Sequence, residues 1–220
     1  MTEKRLSRIS KVVTHRQKGL TLVLENIHDS HNVSAILRSA ESAGIDKIYL
    51  VYNTNKFPKI GRISSGSAKK WVELFRFKNI QDCYEVLKNE KYTIYTTYID
   101  NPETVNVYPR TGNDQGISKE KLKEIAKSIN TKSLYDLDLT KPSAIVIGNE
   151  HTGVSEDAVK LSDVNFMIPM YGMVESLNVS VSAAICIYEA LRQRELKNMY
   201  KETGFTKKET EEKLKFYLGK

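Results

Sequence analysis

The sequence contains little cysteine, no long apolar run and no low-complexity segment. Its two cysteines, Cys83 and Cys186, have neither metal-site nor redox-motif spacing, so each is predicted to be a small core residue. No apolar stretch reaches membrane-spanning length, and residues 1–17 lack the apolar centre of a signal peptide. These absences predict a protein of the reducing cytoplasm with no membrane span.

The chain has 220 residues, of which 40% are apolar, enough for one domain with terminal extensions. Its net charge of +7 is unevenly distributed. Residues 1–20 carry six Lys/Arg against one Glu, residues 56–70 carry five and no acid, and residues 192–220 carry nine against five. Charge gathered in this way suits a phosphate-backbone partner, but solvated basic tails have the same composition.

Short β-rich runs alternate with helical patterns along the chain. Strands are predicted over residues 20–26, 47–52, 71–77, 92–99, 143–148 and 164–169. Helices are predicted over residues 32–44, 80–89, 118–129, 155–161, 178–200 and 207–218, with a loop over 101–116. Thr206 and Glu209 have capping-box spacing at the start of the last helix. The alternation predicts an α/β domain with a mostly parallel sheet flanked by helices.

Polar residues follow the first predicted strand in the segment HNVSAILRSAESAGI (residues 31–45). Asn32 is predicted to cap the helix that begins there. Arg38 stands in an otherwise apolar pattern, where a guanidinium needs a carboxylate or a phosphate as its partner. The sequence leaves both open: an ion pair with Glu41 or Glu150, or a functional contact.

A second polar cluster follows the strand SAIVIG, in the segment IVIGNEHTGVSEDAV (residues 145–159). It has neither the Gly-Lys-Ser/Thr of a phosphate loop nor the three-glycine spacing of a dinucleotide fold, and Glu150 places an acid where an anion would bind. Its glycines either let a ligand approach the backbone or simply form a tight turn.

The third cluster is the loop IPMYGMVESLN (residues 168–178), between a strand and the most apolar helix of the chain. Ser176 and Asn178 are both suited to cap that helix. The backbone groups and apolar side chains of the loop would also suit an uncharged, adenine-like ring. The residues alone do not decide between these roles.

Together the three segments resemble the three motifs of the SpoU, or TrmH-type, RNA ribose 2'-O-methyltransferases of the SPOUT superfamily. The resemblance runs from about Arg16 to Arg194 and includes SSGSAKKWV (residues 64–72). It implies a deep trefoil knot in the C-terminal half, with helical extensions at both ends, although chains as a rule do not knot. It also implies S-adenosylmethionine as cofactor, no metal, and an active site formed across a homodimer.

The resemblance assigns roles to nine residues. The implied catalytic residues are Asn32, Arg38, Glu150, Ser176 and Asn178. The implied cofactor contacts are Thr97, Gly148, Ile168 and Leu177. The expected division of the chain is a basic N-terminal extension (1–19), a methyltransferase domain (20–196) with an insertion at about 108–134, and a C-terminal helical tail (197–220).

The basic N-terminal segment and the helical tail are most similar to the tRNA-specific subgroup, which methylates guanosine at position 18 of the D-loop. The expected activity is therefore methylation of a ribose 2'-hydroxyl in tRNA. Two alternatives stay open at this point: a ribosomal RNA methyltransferase of the same fold, and a non-catalytic RNA-binding protein that retains the fold.

Overall fold

The computed structural model of the protein describes residues 2–54, 56–58, 60–61, 65, 67–98, 131–174, 176–201 and 204–220. The predicted loop at 101–116 and the predicted helix at 118–129 lie outside these residues. So does nearly all of the predicted insertion at 108–134.

Within the described residues the chain forms seven strands and six α-helices. The strands are β1 (Leu20–Glu25), β2 (Lys47–Val51), β3 (Glu73–Phe77), β4 (Thr93–Thr97), β5 (Lys132–Ser133), β6 (Ser143–Ile147) and β7 (Val164–Met167). The helices are α1 (Glu3–Thr14), α2 (Ser30–Ser42), α3 (Ile80–Asn89), α4 (Glu156–Leu161), α5 (Val179–Leu196) and α6 (Lys207–Leu218).

These strands form one sheet in the order β3-β2-β1-β6-β4-β7-β5, and every pairing is parallel. The two central strands, β1 and β6, are buried along their whole length, as strands covered by helices on both faces must be. The predicted α/β class with a parallel sheet is confirmed. The sheet order also places β6 between β1 and β4, and β7 between β4 and β5.

Each face of the sheet carries its own core. On one face, side chains of α2 and α5 such as Ile36 and Ile187 pack against Leu22 of β1. On the other, Cys83 of α3 and Ala158 of α4 pack in the cluster that contains the neighbouring β1 residue. The alternation of side chains along β1 therefore sorts the helices into two layers. Both cysteines are buried, as predicted.

Several predicted boundaries shift by a few residues, each for a local reason. The first strand ends before Asn26, whose φ of 51° breaks the extended backbone. The strand predicted from Trp71 begins at Glu73, because the Trp71 and Val72 amides donate to the Ala68 carbonyl in a preceding turn. The long helix ends at Leu196 rather than Tyr200, because Asn198 adopts a left-handed φ of 59°.

The predicted helical extensions at both termini are present, and they pack against each other. Ile9 and Val13 of α1 form a small apolar cluster with Tyr217 of α6. The Tyr217 hydroxyl also donates to the Trp71 carbonyl oxygen at 3.0 Å, which attaches the helix pair to the sheet domain. Thr206 and Glu209 form the predicted capping box at the start of α6.

Helix α5 is held to the start of the sheet by Arg194, whose side chain is fully buried. Its guanidinium donates to four backbone carbonyls, those of Lys18, Gly19, Leu139 and Lys141, at 2.7–3.1 Å. No carboxylate contacts it among the described residues, so the backbone itself solvates this charge. The residue therefore joins α5 to two separate segments, one before β1 and one before β6.

The attachment of α6 is expected to depend on pH through Glu209. Hydrogen bonds from Lys18 and from Thr206 lower the Glu209 pKa to about 2. Because the folded pKa lies below the ordinary value of about 4.3, this contribution is complete above that value and is lost as the pH falls toward 2. Trp71, the single tryptophan, contacts the Tyr217 ring, so its fluorescence should report detachment of α6.

The matched variant is Glu209→Gln, which keeps the capping geometry but not the charge. It should lose the fluorescence change between pH 4.5 and 2 that the native chain undergoes. An identical titration in both proteins would place the pH dependence in other carboxylates.

Candidate active site

The carboxyl ends of parallel strands share one edge of the sheet, and the predicted site residues follow four neighbouring strands on that edge. The segment leading to Asn32 follows β1, Gly148 and Glu150 follow β6, Thr97 ends β4, and Ile168 follows β7. The sheet order thus brings together residues that are more than a hundred positions apart in sequence.

Glu150 is the centre of a hydrogen-bond network that joins all three motifs. Its carboxylate accepts from the backbone N–H of His28 at 2.9 Å and from the Asn32 side-chain amide at 2.8 Å. It also accepts from the Asp29 N–H at 3.4 Å. The Asn32 carbonyl oxygen in turn accepts from the Asn178 amide at 3.3 Å. Asn32, Glu150 and Asn178 are therefore brought together in space.

The first helix of the site is capped by Asp29, so the prediction that Asn32 is the cap is wrong. The Asp29 carboxylate accepts from the His31 N–H at 2.8 Å, and Asn32 lies within the first turn. Because Asp29 caps the helix, the Asn32 side-chain amide can donate to Glu150 instead. The Asp-Ser-His-Asn run contained this information, because aspartate is as good a cap as asparagine.

Asn178 does cap α5, as one of the two predicted candidates. Its side-chain oxygen accepts from the Ser180 N–H at 2.8 Å while its amide nitrogen donates to Asn32. The same side chain thus begins the helix and joins the site. Ser176, the other candidate, is exposed and precedes the cap by two residues, so it does not cap the helix.

Arg38 is exposed, which corrects the premise that it is buried in an apolar pattern. The ion-pair alternative is also wrong, because Glu41 pairs with the buried Arg16 at 3.0 Å and Glu150 is engaged by Asn32. Six helical residues separate Arg38 from Asn32, a rise of roughly 9 Å along α2. Its guanidinium is in no ion pair with a carboxylate of the described chain.

A shallow cavity of about 490 Å³ runs along the exposed face of α2. It is lined by His31, Ala35, Arg38, Ser39 and Ser42. At its far end the Ser42 hydroxyl lies 3.2 Å from the Tyr188 hydroxyl of α5. Arg38 is thus the only arginine or lysine among these lining residues, and no carboxylate is among them.

Two exposed histidines beside Glu150 were not singled out by the sequence reasoning. The rings of His28 and His151 meet edge to face with centroids 6.4 Å apart, and the His28 N–H is one of the Glu150 donors. They come from the loops after β1 and β6. Only the pairing of those two strands brings the two loops together, so sequence spacing gave no indication of this contact.

Position 148 has no room for a side chain, so the fold requires glycine there. A Cβ at this position would lie 2.3 Å from the backbone of Gly153 and Val154. Asn149 and Gly153 exchange two backbone hydrogen bonds of 2.9 Å, which close the turn. The segment therefore forms a tight turn. Gly153, with φ of 70°, has open space where its Cβ would be, which leaves room beside the turn.

The other expected cofactor residues come from the end of β4, the strand next to β6, and from the loop after β7, the strand beyond β4. Thr97 pairs with Phe166 in the sheet, and its hydroxyl donates to the Val146 carbonyl at 2.9 Å. Ile168 and Leu177 are partly buried at the two ends of a loop whose Tyr171 and Met173 are almost fully exposed, at 98% and 100%. These four side chains carry no charge, which is compatible with the adenine ring expected there.

Burial raises the Glu150 pKa, but hydrogen bonds from Asn32 and from the His28 and Asp29 amides outweigh it, so the net pKa lies below the ordinary value. The network is therefore complete above the ordinary glutamate pKa of about 4.3. It is lost only as the pH falls through the lower folded-state value. Near neutrality Glu150 is an ionised acceptor and does not supply a proton.

Glu150→Ala is expected to lower kcat on the order of tenfold to a hundredfold, because Asn32 and two loop amides lose a charged acceptor. Glu150→Gln should recover part of this loss, since one side-chain oxygen remains to accept from Asn32. KM for RNA should change less than kcat. The control is Glu156→Ala, an exposed acid on α4. Equal activity of both alanine variants would exclude Glu150 from positioning Asn32.

No group of three or more His, Cys, Asp or Glu is placed to hold a metal ion in the described part of the chain. The helices in the described ranges also lack the combination of length and apolar character needed to cross a membrane.

Comparison with known proteins identifies the same region. A sequence profile described as the SpoU rRNA Methylase family matches residues 19–188. A tRNA (guanosine(18)-2'-O)-methyltransferase of Thermus thermophilus is 37% identical over 199 residues, which span 90% of this chain and 88% of that protein.

Two solved structures are similar to the fold. The Aquifex aeolicus TrmH/SpoU tRNA modifying enzyme has a TM-score of 0.79 at 32% identity, covering 98% of this chain and 95% of its own. The SpoU methyltransferase AviRb of Streptomyces viridochromogenes, solved in complex with the cofactor AdoMet, has a TM-score of 0.63 at 20% identity. The latter match covers 82% of this chain and 62% of that one, and supports the fold alone.

Proposed function

We propose, from the premise that this chain belongs to the SpoU methylase family, that it methylates a ribose 2'-hydroxyl in tRNA with S-adenosylmethionine as the methyl donor. The observation that carries the proposal is the Asn32–Glu150–Asn178 network, with the exposed Arg38 six residues further along the helix of Asn32. The proposed nucleotide is guanosine 18 of the D-loop, on which the Thermus thermophilus relative acts by name.

In the proposed reaction a carbon–oxygen bond forms at the ribose 2'-oxygen, the carbon–sulfur bond of the donor breaks, and the hydroxyl proton leaves. The bound donor supplies a methyl group on a positively charged sulfur. A neutral hydroxyl is a weak nucleophile, so the protein must polarise it or help remove its proton. Positioning of the hydroxyl opposite the methyl group contributes further to the rate.

Arg38 is assigned to grip the phosphate next to the target ribose and to stabilise negative charge on the attacking oxygen. It is not assigned as the base, because an arginine side chain stays protonated in proteins. The phosphate that it holds is the proposed proton acceptor. Asn32, fixed by Glu150 and by Asn178, orients the ribose, and Ser176 contacts it from the exposed loop.

The cofactor is assigned to Thr97, Gly148, Ile168 and Leu177, beyond the ends of β4, β6 and β7. The adenine would lie against Ile168 and Leu177. The open space beside Gly153 and the apolar exposed loop after β7 support this assignment.

The test is transfer of labelled methyl groups to unmodified tRNA, followed by mapping of the modified nucleotide. A tRNA with 2'-deoxyguanosine at position 18 is the matched control, since it lacks only the accepting hydroxyl. Unmodified tRNA with guanosine at position 18 should accept about one methyl group per molecule, and the deoxy substrate none. Transfer to ribosomal RNA alone would favour the ribosomal alternative. Absence of S-adenosylmethionine binding by calorimetry would favour a non-catalytic RNA-binding protein.

We also propose that the protein acts as a homodimer through the outer face of α5. Its inner face is buried in the same subunit by Ala183 and Ile187, but Val181 and Tyr188 on the outer face are 46% and 51% exposed. Apolar side chains exposed on a helix beside Arg38 suit a symmetric contact. Sedimentation equilibrium should give a dimer for the native chain and a monomer for Tyr188→Glu with Val181→Glu.

A trefoil knot in the C-terminal half is proposed from the sheet order. Strands β6 and β7 are each inserted between strands that belong to earlier parts of the chain. Stretching the protein by its termini should leave a tightened knot, so that the unfolded contour length falls short of about 3.6 Å per residue. A full contour length would exclude the knot.

The proposed division of the chain is the one expected from the sequence: an N-terminal extension (1–19), a catalytic domain (20–196) and a C-terminal tail (197–220). The packing of α1 on α6 supports a unit outside the catalytic domain formed by both ends. The cytoplasm is the proposed location, which suits two unpaired cysteines and a tRNA substrate.

A further inference from the structure

Two exposed cations, Arg76 near the end of β3 and Lys78 directly after it, contact the ring of Phe57, which follows β2. The ammonium group of Lys78 is 4.8 Å from the centroid of the Phe57 ring, and the guanidinium of Arg76 is 5.7 Å from it. The Tyr52 ring packs against Phe57 at 5.4 Å. We name Phe57, Arg76 and Lys78 the Phe57 cluster.

The two cations of the Phe57 cluster are held by an aromatic ring and not by a carboxylate. Neither Arg76 nor Lys78 is in an ion pair with a carboxylate of the described chain. Glu73, the acid of β3, lies at the opposite end of the strand, near Lys213. The face of an aromatic ring attracts a cation and restrains it but leaves its charge and its hydrogen-bond donors available. Two such donors side by side suit an anion.

The Phe57 cluster lies on the same edge of the sheet as the Glu150 network. β3 is two strands from β1, which corresponds to roughly 10 Å at the usual strand spacing. The Tyr52 hydroxyl donates to the Ile27 carbonyl at 3.0 Å, and the next residue, His28, donates to Glu150. A continuous set of contacts therefore connects the cluster with the active site.

The cluster is also on the same face of the sheet as α2. Arg76 alternates with Phe75 and Phe77 along β3, so it shares a side with Leu74. Leu74 and Phe57 both pack against the core that includes the buried side of α2. A single RNA strand approaching this face of the sheet could therefore contact both the cluster and the helix that carries Arg38.

We propose that the Phe57 cluster binds backbone phosphates of the RNA substrate a few nucleotides from the methylated ribose. This proposal rests on the proposed function, and adds the path of the RNA across the protein. Arg76 offers paired donors to a phosphate and Lys78 a mobile charge. Phe57 belongs to the basic sequence segment 56–70, which holds five Lys/Arg and no acid.

The test is the salt dependence of RNA binding by the double variant Arg76→Ala with Lys78→Ala. Each lost phosphate contact should reduce the slope of log K against log salt concentration by roughly 0.7 to 0.9. The matched control is Lys88→Ala with Lys160→Ala, which removes the same charge from the opposite layer of helices. The control should retain the native slope, and both variants should retain S-adenosylmethionine affinity.

Substitutions of Phe57 distinguish the contribution of the aromatic ring to RNA binding from that of the two positive charges. Phe57→Leu keeps an apolar contact with Tyr52 but removes the π face, so it should weaken RNA binding with no change in net charge. Phe57→Tyr keeps the face and should behave like the native protein.

The outcomes distinguish this inference from the proposed function. If the native protein methylates tRNA but the Arg76→Ala, Lys78→Ala variant keeps the native slope and affinity, the cluster does not bind RNA and only the inference fails. If the native protein neither binds nor methylates tRNA, both the proposed function and this inference fail. Circular dichroism verifies folding, since both cations are exposed and their truncation creates no cavity.

Discussion

Replacing Arg38 with alanine is expected to lower the rate of methyl transfer by about a hundredfold to a thousandfold. S-adenosylmethionine affinity should not change, because Arg38 lies on α2 and the expected cofactor residues follow β4, β6 and β7. The expectation rests on an exposed guanidinium that is not engaged by Glu41 or Glu150. Such a group keeps all its donors for an RNA phosphate and for charge on the attacking oxygen.

Two further variants give this prediction its specificity. Arg38→Lys keeps the charge but loses the planar fork, so its activity should fall between those of the native and alanine forms. Ser39→Ala alters the same cavity without removing charge and should stay close to native. Single-turnover assays with saturating cofactor would measure the transfer step directly. Native turnover by Arg38→Ala would exclude Arg38 from the reaction.

Replacing Arg194 with methionine is expected to reduce the free energy of unfolding by about 3–5 kcal/mol. Methionine fills much of the same volume but donates no hydrogen bond. The carbonyls of Lys18, Gly19, Leu139 and Lys141 would then lose a shared charged donor in a buried site. The Gly19 and Lys141 carbonyls would each keep a hydrogen bond from Ser143, so the loss of a donor at Lys18 and Leu139 accounts for most of the expected effect.

Arg192→Met provides the control two residues away on the same helix. Arg192 is exposed, and its partner among the described residues, the buried Glu189, keeps a hydrogen bond from Gln193, so the loss of Arg192 should cost roughly 1 kcal/mol. Urea titrations brought to equilibrium from both the folded and the unfolded side would measure the difference. Equal midpoints for the two variants would mean that water replaces the Arg194 donors without cost.

Local signals in the sequence predicted most of the elements. The helix at 80–89 has the predicted limits, because Asn79 caps it and the apolar positions of its buried face recur at helical spacing. The capping box at Thr206 and Glu209 likewise located α6. Such features are encoded within a few residues, and no long-range contact is needed to identify them.

The errors arose where the outcome depends on contacts between distant segments. Periodicity placed Arg38 among apolar residues but could not tell which side of α2 the sheet covers. The Glu41 carboxylate is taken by Arg16, a residue 25 positions away, and no spacing rule indicates that pairing. The contact between His28 and His151 depends on the insertion of β6 beside β1, which only the sheet order reveals.

The shared side chain of Asn178 links the beginning of α5 to the integrity of the site. Its oxygen holds the Ser180 N–H, while its nitrogen is bound to Asn32 on another helix. A rotation of this side chain that frees Asn32 therefore also releases the Ser180 amide, in the first turn of α5, to solvent. Hydrogen–deuterium exchange at the Ser180 amide would therefore report whether the proposed catalytic groups, which follow three different strands, are assembled.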